Sequence, residues 1–225
     1  MVSIIVPVLN EEKTIENLLI KLNNLKGSKE IIVVDGGSKD KTVTIAKKYG
    51  KVVKSKKGRA YQMNKGASIS KGDILWFVHS DSIVDLNSIT YIEKCITRGY
   101  VGGGFSLYFY DFNTLFMKYI RITSNIRAYI FKIFYGDQGI FVEKNIFNRI
   151  GGYPNLYIME DLEFSKKIKK VGKMKLISKK IGTSARRFKK GGQFKTHLLM
   201  HKLRILHIMG ISNSTLNKMY REVRQ

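Results

Sequence analysis

The stretch ILWFVHSDSIVD, Ile74–Asp85, runs through five apolar residues and then breaks off at His79-Ser80-Asp81-Ser82. An unpaired carboxylate in a dry core is costly, so Asp81 belongs at an open end or against a cation. A short apolar run bounded by Gly72-Asp73 on one side and polar residues on the other reads as a buried central strand rather than a helix. In open α/β sheets the C-terminal edge of such a strand is where ligands bind.

The pattern repeats upstream. VSIIVPVLN reads as a buried strand ended near Pro7, after which Glu11, Glu12 and Thr14 lead into a helix with Ile15, Leu18, Leu19, Leu22 and Leu25 at helical spacing. EIIVVD, Glu30–Asp35, ends on a second acid and passes through Gly36-Gly37-Ser38-Lys39-Asp40 into a short helix reaching Tyr49. VVKS (52–55) reads as a weaker strand and AYQMNKGASIS (60–70) as a helix. This alternation argues for a largely parallel sheet covered by helices on both faces. Neighbouring strand ends would then bring Asp35 and Asp81 to one crevice.

The second half is less regular. GGGFSLYFYDF from Gly102 suits a strand, and Asn113–Phe134 a helical region carrying Lys118, Arg121, Arg127 and Lys132. GDQGIFVEK (136–144) reads as a strand entered through a glycine turn. GGYPNLYIMEDLEFSKKIKKVGK (151–173) supplies a loop, the acidic pair Glu160-Asp161 and an amphipathic helix spaced on Leu162, Ser165, Ile168 and Lys169. With no internal repeat and no linker before Gly191, one domain over 1–190 and a basic helical extension over 191–225 are expected.

Composition narrows the partners. The 225 residues, 44% of them hydrophobic, suffice for one substantial core. Lysine and arginine outnumber acids 41 to 17, a formal charge of +24, which calls for an anionic partner or a broadly solvated basic surface. A lone cysteine, Cys95, allows no intrachain disulfide and suits a reducing compartment. The apolar run Val2–Leu9 lacks a preceding basic region, and no stretch is long enough to span a bilayer, so a cytoplasmic protein is expected. The tail 193–225 sets Leu198, Leu199, Leu203, Leu206 and Met209 near Lys202, Arg204, Lys218, Arg221 and Arg224. Such a basic amphipathic helix either packs on the domain or lies at the inner face of an anionic membrane.

VSIIVPVLNEEKTIENLL, EIIVVDGGSKDKT, GRAYQMNKGA, GDILWFVHSDS, GDQGIFVEK and GGYPNLYIMEDLEFSKKIKKVGK, in this order, resemble the family 2 glycosyltransferases over residues 2–190. They are closest to small bacterial members with His-X-Asp in place of Asp-X-Asp. The resemblance implies the GT-A fold, an α/β mixed sheet with helices on both faces. It further implies a UDP- or GDP-sugar donor, Mg²⁺ or Mn²⁺, and transfer with inversion to an acceptor such as a lipid or cell-envelope glycan.

Residue by residue, the resemblance gives Asp35 to the nucleobase or ribose, with Pro7, Asn10, Glu11 and Gly37 around it. Asp81 becomes the metal ligand, flanked by His79 and Ser80, since hard cations prefer carboxylate and phosphate oxygens. Arg59, Gln62 and Asn64 would meet donor phosphate or sugar, and Asp137 and Gln138 would line the sugar or acceptor pocket. Asp161 is placed as the catalytic base beside Glu160, and Arg186-Arg187 would close over the diphosphate, whose oxygens suit the arginine fork.

Plainer roles compete for several of these. Asp35 can cap its own turn, Asp81 or Glu160-Asp161 can cap a helix, and Arg59, Gln62, Asn64 and the Arg186-Arg187 segment can be solvated. His197 and His201 lack the acid that a zinc-protease helix needs, and Gly102–Gly104 lacks the lysine ending of a phosphate loop. A nucleotidylyltransferase would want a glycine-rich basic loop where PVLNEEKT stands. A noncatalytic RNA- or membrane-binding protein would account for the charge but not for acids ending two strands, which disfavours nucleic acid. A degenerate nucleotide-sugar binder, with His79 marking lost metal affinity, is the third rival.

Overall fold

The computed structural model describes residues 1–222, and side chains through Tyr220. The first half alternates as β1 (Val2–Val8), α1 (Ile15–Asn23), β2 (Lys29–Asp35), α2 (Thr42–Ala46), β3 (Lys51–Lys54), α3 (Arg59–Ser68) and β4 (Ile74–Phe77). Next come α4 (Ser88–Thr97), β5 (Gly102–Phe109), α5 (Leu115–Phe131), a 3₁₀ turn (Gly136–Gln138) and β6 (Phe141–Glu143). The chain ends in α6 (Lys144–Arg149), α7 (Glu160–Val171), β7 (Met174–Thr183), α8 (Arg186–Gly191), α9 (Gln193–Ile208) and α10 (Asn213–Glu222).

One seven-stranded sheet orders these strands β3-β2-β1-β4-β6-β5-β7. β1 pairs in parallel with both β2 and β4, β6 runs antiparallel to β4 and β5, and β5 pairs in parallel with β7. Chain order reverses at β1, so the crevice beyond the ends of β1, β2 and β4 is the switch point at which such sheets take ligands.

The apolar runs are continuous because both sheet faces are covered. Val2, Ile4, Val6 and Val8 pack with Leu18, Leu19 and Leu22 of α1 and Ile89 and Ile92 of α4. Ile5, Ile32 and Val34 face the other way, onto Ala60, Met63 and Ala67 of α3, with Phe147, Tyr153 and Phe164 completing that layer.

Several expected elements come out differently. Only Phe141–Glu143 of GDQGIFVEK is strand, because Gly139 turns the chain at a left-handed φ of +58° and GDQ coils into the 3₁₀ turn. In α7 the buried residues include Phe164, while Lys169 faces solvent. β7 is an edge strand whose exposed lysines mask the period-two pattern, a common defence of sheet edges. The tail forms two helices rather than one, broken at Gly210 with φ +83°.

Gly103 shows how closely this half is drawn together. It pairs with Lys175 of β7, and a Cβ at Gly103 would collide with the Lys175 backbone carbonyl. Gly103→Ala is therefore expected to cost about 1–3 kcal/mol, or more if the strands cannot shift. A lowered urea midpoint at unchanged slope would show it; an unchanged midpoint would refute so tight a pairing.

Candidate functional site

Two loops beyond the parallel strands are stitched together first. Asn10, in a left-handed conformation at φ +54°, accepts from Lys39 N (2.8 Å) and donates its own N–H to Ser38 Oγ (2.9 Å). Asp35 is 2% exposed, and its carboxylate accepts from Gly37 N (3.1 Å) and Ser38 N (3.0 Å). It thus caps its own turn, the plainer of its two readings, while Gly37 at φ +98° leaves the turn surface open. Pro7 is buried within β1.

Three amides expected at the ligand hold the framework instead. Gln62 Nε2 donates to Val8 O and Val34 O, each at 2.8 Å, and so bridges the ends of β1 and β2, where Val8 O also accepts from Gly36 N at 3.0 Å. Asn64 exchanges two bonds with the Tyr153 backbone, at 2.9 Å each. Gln138 accepts from Arg127 Nη2 (2.8 Å) and donates to Phe105 O (3.3 Å).

The acids converge beyond β4 and at the start of α7. Asp161 is 9% exposed and Glu160 4%. Asp161 Oδ2 accepts from Gly136 N at 2.8 Å, whereas Asp161 Oδ1 is buried with no hydrogen-bond partner among the described residues. Glycine is required at 136: a Cβ there would strike the His79 ring and stand 2.9 Å from Asp161 Oδ2. His79 and Asp161 therefore flank one backbone point. Met159, the residue before the acid pair, takes a left-handed φ of +66°, a strained setting for a side chain of this size.

Around this point more polar atoms are buried unpaired: His79 Nε2, Asp137 Oδ1 and the Tyr153 hydroxyl. Tyr153 stacks on Phe164 at a 3.8 Å centroid distance, and burial together with Asp161 and Glu160 holds its phenol well above the ordinary value. Burial, assisted by Arg59, Arg187 and Arg186, keeps His79 neutral. Asp137 is pushed up by burial against the opposing pull of Arg127, Arg187 and Arg59.

Outward of this lies a clamp of charge. Arg186 grips Glu11 with two bonds, Nη2–Oε1 at 2.6 Å and Nη1–Oε2 at 2.9 Å, and its Nε stands 3.6 Å from Asp81 Oδ2. Asp81 is raised by burial, with Arg186 pulling it down and Glu11 pushing it up. Tyr110 donates its hydroxyl to Asp81 O at 3.1 Å. Ser80 is buried beside it. Arg59 is desolvated, which lowers its pKa, but Glu160, Asp161 and Asp81 facing it more than offset this and raise it, and Arg187 lies over the Tyr220 ring at 5.4 Å. Arg186 and Arg187 begin the short helix α8 rather than lying in a loop, Arg186 exposed and Arg187 half-buried.

The donor set fits a hard cation only in part. Among the described residues no group of three or more His, Cys, Asp or Glu side chains is placed to hold a metal ion. Asp81, with Glu11 nearby, supplies one or two carboxylates, the protein share usual for Mg²⁺ when substrate phosphates complete the shell. His197 meets His201 edge to face at 4.3 Å and Phe116 edge to face at 5.3 Å, as part of an aromatic cluster.

The sequence pattern named Glycosyl transferase family 2 matches residues 3–154. The chain belongs to that family. The match ends before Asp161 and Arg186. Among curated relatives, 4,4'-diaponeurosporenoate glycosyltransferase of Staphylococcus haemolyticus is 35% identical over 104 residues, 42% of this chain and 27% of that protein. Glucosyl-3-phosphoglycerate synthase of Petrotoga mobilis is 30% identical over 170 residues, 63% of this chain and 50% of that protein. The chain thus spans half or less of the curated relatives it matches.

Solved structures carry the same fold. TarS of S. aureus, residues 1–349 with UDP-GlcNAc, superposes with a TM-score of 0.69 at 20% identity, covering 81% of this chain and 58% of that one. The mannosyltransferase PcManGT of Pyrobaculum calidifontis, with GDP-Man and Mn²⁺, gives 0.63 at 16% identity, covering 99% and 73%. The mixed sheet with helices on both faces is thus the GT-A arrangement of these glycosyltransferases.

The buried acid pair has a consequence for stability. Burial first, and Glu160 second, push Asp161 from 3.8 to about 8, against Arg59 and the Gly136 N–H. The unfolded chain releases this proton near 3.8 while the fold retains it to about 8, so rising pH across that window removes stability. Asp161→Asn is expected to melt above wild type at pH values near 8 and to lose that advantage below 3.8. Parallel thermal melts across pH check this; a constant difference between the two proteins would refute it.

Proposed function

We propose that the chain is an inverting glycosyltransferase that moves a sugar from a nucleoside-diphosphate donor to an acceptor hydroxyl. The observation that carries this reading is Asp161: one carboxylate oxygen pinned by Gly136 N–H, the other buried and free of partners. The fixed oxygen orients the group, and the free one has a lone pair for the acceptor proton. With its pKa held up to about 8 the group is largely protonated at neutral pH, and once ionised it is a stronger base than an ordinary aspartate, so transfer should rise with pH towards about 8. As the acceptor oxygen bonds to the anomeric carbon, its proton passes to Asp161 Oδ1 and the bond from that carbon to the diphosphate oxygen breaks. A single base on the face opposite the leaving group is enough for inversion, and no second nucleophilic carboxylate is called for.

Asp81, with Glu11 beside it, would hold Mg²⁺ or Mn²⁺, which offsets the charge of a departing diphosphate. Arg186 balances these two carboxylates in the protein alone, and its guanidinium is then within reach of donor phosphates. Neutral His79 offers a hydrogen bond to ribose or sugar without adding charge. The open Gly37 turn behind Asp35 leaves backbone to meet the base. UDP-GlcNAc in TarS and GDP-Man with Mn²⁺ in PcManGT support a UDP- or GDP-sugar as donor.

The test is a panel of UDP- and GDP-sugars with Mg²⁺, Mn²⁺ or chelator, reading donor-induced thermal shift and release of nucleoside diphosphate. Asp161→Asn should keep donor binding and lose transfer by at least about a hundredfold, the usual contribution of a positioned base. Asp81→Ala should lose the part of donor binding that depends on the cation. The opposite pattern would reverse these roles, and a fold that no donor stabilises with either cation would end the enzyme reading.

A further inference from the structure

α5 presents an exposed apolar stripe. Leu115, Tyr119, Ile122, Ile126, Tyr129 and Ile130 recur at intervals of three and four, so they fall within about a third of the helix circumference. All six are exposed, Leu115 at 83% and Tyr129 at 65%. The opposite face carries Met117 and Ile120, which are buried against Ala185. α9 repeats the arrangement. Its Leu203 is buried with Leu216 of α10 against Ile158, Met159 and Leu162, which accounts for one apolar face of the tail. The other face sets Phe194, Leu198, His201, Ile205 and Ile208 in a second exposed stripe, with Leu198 at 71% and Ile208 at 74%. The stripes meet where the Phe116 ring lies 4.2 Å from Phe194 and Tyr119 lies 6.0 Å from His197.

Charge identifies the occupant. No Asp or Glu occurs in residues 112–136 or 164–221, the tracts that contain both helices. Lys118 borders the first stripe, and Lys195 and Lys202 border the second, all three exposed. A second copy on this face would bring those lysines against their own counterparts, whereas anionic headgroups pair with them while the apolar residues enter the acyl boundary. Tyr119 and Tyr129 have the amphipathic rings favoured at that depth. No described helix is long and apolar enough to cross a membrane, so the face would lie along the surface. We propose that α5 and α9 together dock the protein on an anionic phospholipid bilayer, through both stripes rather than through the tail alone.

Flotation of the full chain with vesicles of phosphatidylglycerol and phosphatidylcholine, and of phosphatidylcholine alone, tests this. Binding is expected only with phosphatidylglycerol. The pairs Ile122→Ser with Ile126→Ser, and Leu198→Ser with Ile205→Ser, should each weaken it by about tenfold or more. Lys118→Glu, Lys195→Glu and Lys202→Glu together should abolish it. These positions are exposed, so melting temperatures should stay near wild type and show that the variants fold. Absent binding, equal binding to neutral vesicles, indifference to the substitutions, or a solution dimer that they dissolve would each overturn the proposal.

Discussion

The burial of Asp161 is the constraint from which the rest of this site follows. A carboxylate taken from water must be paired, hydrogen-bonded or left protonated, and here each remedy is partial. One oxygen has the Gly136 N–H and the other has no hydrogen-bond partner among the described residues, while Glu160 beside it adds repulsion and Arg59 offsets part of it. Holding the group there takes a glycine at 136, a left-handed Met159, and an α7 anchored from behind. The anchor is specific: Ser165 Oγ both accepts from Phe134 N (3.0 Å) and donates to Phe134 O (2.8 Å), and Phe164 stacks on Tyr153. Strain at Met159 and several unpaired polar atoms gather around this point, as at sites shaped for chemistry.

Charge is distributed to the same end. Of only 17 acids, five (Glu11, Asp81, Asp137, Glu160 and Asp161) surround this crevice, with Arg59, Arg186 and Arg187 set among them. Net charge of +24 thus hides a locally acidic site on a basic body. Burial, with the arginines adding to it, holds His79 neutral, and Arg59 and Arg187 offset part of what burial does to Glu160. The surplus lysines lie elsewhere, on edge strand β7 and along the acid-free helices.

Much of this was readable from sequence where burial acts on backbone period. The strand ending on Asp35 and the one that stops at Phe77, four residues before Asp81, announce themselves because runs buried on both faces cannot carry polar residues until they reach the edge. The acid pair at the start of α7 was legible for the same reason. Side-chain partnerships were not. Gln62, Asn64 and Gln138 look like ligand-binding amides, yet strand-end and loop backbone groups claim them, and only tertiary pairing reveals that. Tyr153 sat unremarked in a Pro/Gly loop, although an aromatic beside two glycines is a cheap signal that the loop is packed rather than free. β7 was missed because its lysines erase the alternation, and the Arg186 bridge to Glu11 because 175 residues separate its ends.

The central claim is that Asp161 is held as a poised base by its surroundings. Its carboxyl carbon can be followed directly by NMR in protein labelled with ¹³C-aspartate, with Asp161→Asn giving the assignment. The account predicts a titration displaced far above the ordinary carboxylate value of 3.8, towards about 8, in the ligand-free protein. A midpoint at or below 3.8 would contradict it, because the group would then be an ordinary solvated or ion-paired acid and not the base described here.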